Sequence, residues 1–127
     1  MNTLHIDPTN TTPFIDYNKE TGILEISGKS LPTNAIEYYE PVFEWAGNFF
    51  NSADVPTNFS LIFNLDYYNT ASSKQIAKLF KIMESSLASS IITINWCYDE
   101  EDIDMLEAGQ RFDKLLNINF KFTVNKE

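Results

Sequence analysis

The chain has 127 residues, which suits one domain with a single core and would crowd two. Apolar residues make up 43% and aromatics 14%, too many for a disordered chain. With 18 acids against 9 bases the net charge is −9, a balance that repels DNA, RNA and anionic membranes and leaves proteins or small ligands as partners.

Residues 1–12 are polar and predict an irregular lead-in; they carry no basic patch followed by an apolar stretch, so no secretory leader is expected. Residues 13–17 and 23–27 read as two short strands, joined by turn material over 18–22 with Gly22 at a positive φ. Residues 28–32 end that unit. Ile36, Tyr39, Val42, Phe43, Ala46, Phe49 and Phe50 recur at helical spacing, giving a first helix over 34–51 that Pro41 either kinks or starts. After a loop at 54–58, residues 59–66 form a strand with Phe59, Leu61, Phe63 and Leu65 on one face.

A second helix covers 71–88, with Ile76, Leu79, Phe80, Met83 and Leu87 as its buried stripe. Residues 90–98 form a strand turning Ile92, Ile94, Trp96 and Tyr98 one way. A third helix over 100–115 buries Ile103, Leu106 and Phe112. Residues 117–124 close the chain with Ile118, Phe120, Phe122 and Val124 inward. No apolar run approaches the roughly 20 residues of a membrane helix, and the single cysteine, Cys97, fits a reducing, cytoplasmic setting.

The order ββαβαβαβ predicts an α/β two-layer sandwich: one domain over 1–127, a mixed five-stranded sheet and three helices mainly on one face. Apolar–polar alternation in several strands argues for an open second face, where solvent is expected with Ile62 and Ile91 as exceptions. Neither GxGxxG nor GxxxxGK[ST] occurs to argue for a doubly wound Rossmann fold instead, and no cofactor is expected.

The informative stretch is Asp66-Tyr67-Tyr68-Asn69-Thr70-Ala71-Ser72-Ser73-Lys74, which joins an apolar strand directly to an amphipathic helix. Such strand ends are where sites gather in parallel layers. Thr70 has two readings. One is an ordinary N-cap. The other is a phosphorylation site, since a helix start holds a phosphate with free N–H groups and a positive dipole end. Lys74 follows at i+4, and Lys78 and Lys81 continue that side. Ser72 and Ser73 are rival acceptors. Tyr67 and Tyr68 cannot both enter the core easily, so one serves as an exposed anchor for a partner.

Asp99-Glu100-Glu101-Asp102-Ile103-Asp104 is a second cluster. Asp99 suits an N-cap with acids in the first turn; the run also reads as an acidic docking surface, or less well as a Mg²⁺ site in which Asp99 and Asp102 join Asp66 in an acid-based phosphoacceptor or enzyme. His5 is the only histidine, so neither a His-based catalytic set nor a His-based metal site is expected. Cys97, Trp45 and Trp96 read as core.

The chain resembles the SiaC family of bacterial regulatory phosphoproteins over about residues 10–122. The resemblance rests on Thr12-Pro13, on Ile26-Ser27-Gly28-Lys29-Ser30-Leu31-Pro32 leading into Tyr38-Tyr39-Glu40-Pro41, and on the segment 66–74. Trp96-Cys97-Tyr98-Asp99-Glu100-Glu101-Asp102 and Glu107-Ala108-Gly109 complete it. Tyr68 replaces the family's usual Phe and Ala71 its usual Ser. The resemblance implies phosphorylation at Thr70 by a dedicated Ser/Thr kinase, reversal by a PP2C-type phosphatase, and activation of a diguanylate cyclase by the unphosphorylated form. That output raises cyclic di-GMP and favours biofilm. The predicted layout is also similar to STAS domains, which act as anti-sigma factor antagonists and carry their phosphoacceptor at a strand-to-helix junction.

Overall fold

The structure, a computed structural model, describes residues 3–126. Six strands form one sheet in sequence order: β1 (His5–Ile6), β2 (Phe14–Asn18), β3 (Ile23–Ser30), β4 (Ser60–Tyr68), β5 (Thr93–Asp99) and β6 (Asn119–Asn125). The first three pair antiparallel, and β3 to β6 run parallel. The parallel steps are spanned by α1 (Ala35–Phe49), α2 (Thr70–Glu84) and α3 (Ile103–Leu115). Each crossover steps outward in the same direction, so the right-handed rule places all three helices on one face. Burial agrees. Leu24, Ile26, Leu61, Phe63, Leu65, Ile94 and Trp96 are buried, while Glu25, Ile62, Asn64, Thr93 and Asn95 between them are partly exposed.

The sheet has six strands where five are predicted. The extra one is β1, inside the expected irregular lead-in. His5 lies opposite Asp16, Ile6 lies opposite Ile15, and the Tyr17 N–H donates to Leu4 O at 2.9 Å. Two residues are too few to show alternation, yet they cover the edge that β2 would otherwise leave open. The hairpin turn is as expected, with Asn18 Oδ1 accepting from Glu20 N–H at 2.9 Å and Gly22 at φ 73°.

Three helix starts are set by side-chain caps. Asn34 caps α1, which begins ahead of Pro41 and runs through it; the proline does not mark the start. Asp102, not Asp99, caps α3, accepting from Met105 N–H at 3.0 Å, so α3 begins three residues later than predicted. Asp99 instead closes a turn, its carbonyl accepting from Asp102 N–H at 2.9 Å. At its other end α2 stops at Glu84, where both the Ser85 N–H and hydroxyl bond to Lys81 O. Leu87, assigned to the buried stripe, is therefore 83% exposed, and a 3₁₀ turn at Ser89–Ile91 delays β5 to Thr93.

Ile36 and Ile103 are also exposed, at 69% and 54%. Each sits in the first turn of its helix. The buried face of α3 is Met105, Ala108 and Gly109, with Leu106 and Phe112 half-buried. Trp45 and Trp96 are core residues as expected, Trp45 stacking on Phe49 at 4.6 Å and Trp96 on Phe63 at 4.5 Å. The helix-free face carries polar pairs: Asn119 Nδ2 donates to Thr93 Oγ1, Thr123 Oγ1 to Asn95 Oδ1, and Asn125 Nδ2 to Asn64 Oδ1. Ile62 and Ile91 are partly exposed there.

Candidate functional site

The end of β4 is shaped by a bulge. Gly28 pairs with Leu65, but Lys29 pairs with Tyr67, so Asp66 has no partner in β3. Gly28 has φ 103°, a conformation that favours glycine, and it allows β3 to run on to Ser30 where the sequence suggests a stop near residue 27. One extra residue reverses the alternation. Tyr67 turns outward and is 55% exposed, whereas Tyr68 turns to the helix side and packs half-buried against the core. The pair thus divides into one exposed ring and one ring packed on the core. Burial raises the pKa of the Tyr68 hydroxyl, and nearby Arg111 from α3 opposes that rise. Arg111 beside this loop carries no signal in the sequence, because the two lie on different elements.

Asn69, not Thr70, caps α2. Its backbone is extended (φ −85°, ψ 174°), its N–H donates to Ser30 O at 3.1 Å, and its Oδ1 accepts from Ser72 N–H at 2.8 Å. Both residue types make good caps; the tie to the end of β3 decides between them. Thr70 becomes the first helical residue. It is exposed, and its hydroxyl has no hydrogen bond among the described residues.

Ser72 is fully buried, its hydroxyl donating to Ser30 O at 3.0 Å and accepting from Ser30 Oγ at 2.8 Å, so this rival acceptor is sealed from any enzyme. Ser73 remains partly exposed. Of the three lysines, Lys78 lies over the Phe43 ring at 4.8 Å and Lys81 bonds Glu84 at 2.8 Å. Lys74, exposed and without an ion pair among the described residues, is the one left for charge near Thr70.

Asp99, Glu100, Glu101 and Asp102 line one recess with Asn125 and Lys126. The pairing of β4 with β5 ends at Phe63–Trp96, before the strands reach Asp66 and Asp99. Among the described residues no three His, Cys, Asp or Glu side chains are grouped to hold a metal, so the Mg²⁺ reading has no ligand set. Cys97 is buried; burial first, then the Glu25 carboxylate, pushes its thiol pKa up and keeps it protonated. His5 lies at the far edge of the sheet, between Asp7 and Asp16.

A sandwich with helices on one face and an exposed hydroxyl where a strand hands over to a helix is the class of molecule these elements define. Comparison with known proteins places it in a family: the family model described as SiaC family regulatory phosphoprotein matches residues 6–125, and the chain belongs to that family. An uncharacterized protein of Pseudomonas aeruginosa (strain UCBPP-PA14) is 27% identical over 128 residues, covering 100% of both chains. The crystal structure of apo-SiaC from Pseudomonas aeruginosa superposes with a TM-score of 0.83 at 26% identity, over 97% of this chain and 99% of that one. SiaC in the complex of diguanylate cyclase SiaD with its activator SiaC, from the same species, also superposes with a TM-score of 0.83, at 27% identity and over 96% and 99% of the two chains. No helix among the described residues is long and apolar enough to cross a membrane.

Proposed function

We propose that this protein is a non-enzymatic phospho-switched activator acting in the cytoplasm. Its unphosphorylated form binds and activates a diguanylate cyclase. A dedicated Ser/Thr kinase phosphorylates Thr70 and releases the cyclase, and a PP2C-type phosphatase restores the binding form. The observation that carries the reading is the exposed, unbonded Thr70 hydroxyl at the start of α2, where free N–H groups and the helix dipole favour an added phosphate. Asp66, Tyr67, Tyr68, Asn69 and Lys74 form the surface around it, and Asp99, Glu100, Glu101 and Asp102 extend that surface at the neighbouring strand end. Membership of the SiaC family and the likeness to a protein solved together with a cyclase support the choice of partner.

The test is incubation with a kinase of this family's switching modules and ATP, followed by peptide mass mapping. Phosphate on Thr70 is expected; phosphate confined to other residues, or none, removes the assignment.

A further inference from the structure

Behind Thr70, three buried hydroxyls from three elements form one chain. Ser30 ends β3, Tyr39 lies in α1, and Ser72 lies in the first turn of α2; all three are at most 1% exposed. Tyr39 Oη and Ser30 Oγ are 2.6 Å apart, and Ser30 Oγ lies 2.8 Å from Ser72 Oγ. A hydroxyl has one proton to give, which fixes every direction. The Ser72 proton goes to Ser30 O. The Ser30 proton therefore goes to Ser72 Oγ, and the proton between Ser30 and Tyr39 must come from Tyr39. The same Ser30 carbonyl accepts from Asn69 N–H, so the cap and the chain share an anchor.

We propose that Tyr39 is a positioning residue for the switch: through Ser30 and Ser72 its hydroxyl fixes the first turn of α2 and so the presentation of Thr70. The consequence for phosphorylation rests on the function proposed above; the positioning itself does not. Tyr39 is suited to the task because burial pushes its pKa up to about 12, with the Ser30 bond opposing, so it stays a donor at neutral pH. Tyr38 is a built-in control. Its hydroxyl donates to Pro13 O at 3.3 Å, just before β2, and takes no part in the Tyr39–Ser30–Ser72 chain.

The experiment is amide hydrogen exchange on the full chain, comparing wild type with Tyr39→Phe and Tyr38→Phe. Losing a buried hydrogen bond should speed exchange at Ser72 and Ser73 by on the order of tenfold in Tyr39→Phe. Leu79–Met83 in the same helix should keep its wild-type rate, and Tyr38→Phe should leave Ser72 and Ser73 unchanged. Unchanged exchange in Tyr39→Phe overturns the proposal. So does acceleration spread evenly over α2, or shared by both variants, because either marks general loosening.

Kinase kcat/KM toward Thr70 is the second readout. Tyr39→Phe should lower it, and adding Ser30→Ala should lower it little further, because both break one chain. A wild-type protein that takes no phosphate on Thr70 sinks the functional reading and leaves exchange to decide the positioning. A phosphorylated wild type matched in rate by Tyr39→Phe rejects Tyr39 as a determinant of presentation.

Discussion

Gly109 and Gly47 are both helical glycines, and the structure gives them opposite roles. A Cβ on Gly109 would lie 2.6 Å from Trp96 Cδ1 and Nε1, whereas one on Gly47 would meet nothing within 4 Å. The indole cannot retreat, because it stacks on Phe63 and its Nε1–H donates to Met105 O at 2.9 Å. Overpacking a core costs about 1–3 kcal/mol, against the about 1 kcal/mol that alanine gains over glycine in a helix. Gly109→Ala should therefore destabilise, and Gly47→Ala should stabilise by about 0.5–1 kcal/mol, both read from urea unfolding midpoints. Neither sign is legible in the sequence, where each residue is simply a glycine in a helical pattern.

His5 offers a pH test at the same scale. Its two ring nitrogens lie 2.8 Å from Asp16 and Asp7, and these bonds, Asp16 first, raise its pKa above 6.5, with Glu25 standing next to Asp16 on β3. The folded state favours the charged ring, so its contribution is fully present below pH 6.5 and fades as pH rises through the raised value. The stability gap between wild type and His5→Asn should narrow as pH rises from 6.5 through the raised value; a constant gap across the series would contradict this coupling.

Among the elements, helix starts and strand ends separate what the sequence discloses from what it hides. The periodicity of Ile76, Leu79, Phe80 and Met83 makes α2 legible, and all four are buried. Its first residue is not legible, because Asn69 and Thr70 are adjacent and both fit a cap. The deciding facts are long-range: the Asn69 N–H bond to Ser30 O and the bulge at Asp66 that sets the direction of the chain into the helix. The same holds for α3, where Asp99 and Asp102 compete and the turn closed by Asp99 leaves the cap to Asp102. Stability should record the reassignment. Asn69→Ala removes a cap and should cost about 1 kcal/mol, while Thr70→Ala removes an exposed, unbonded hydroxyl and should cost less than about 0.5 kcal/mol. Equal losses in paired denaturant titrations would return the cap to Thr70.

For the whole molecule, the alternation of strands and helices discloses the α/β class but not the strand order, because right-handed crossovers fix the face on which each helix lies and not the edge at which the next strand joins; the structure supplies the sequential order. The one strand missed, β1, lies where two residues cannot display a period. The site was legible as a segment, 66–74, but not as a surface, because Arg111 and the Tyr39–Ser30–Ser72 chain come from distant parts of the chain. The protein carries a net charge of −9, and Asp66, Glu100 and Glu101 are exposed at the carboxyl ends of β4 and β5.

Phosphate adds about −1.5 to −2 charges at a single point on this surface. The Thr70 hydroxyl has no hydrogen bond to lose among the described residues, so the fold has no reason to change if it is phosphorylated as proposed. The effect should fall on association instead. Thr70→Ala should bind the cyclase as wild type does, Thr70→Asp should bind at least tenfold more weakly, about 1.4 kcal/mol, and the two should melt within a degree or two of each other. Calorimetric titration and thermal unfolding of the same two samples separate the cases: equal affinities abolish the switch, and a large drop in melting temperature for Thr70→Asp would trace weaker binding to a damaged fold.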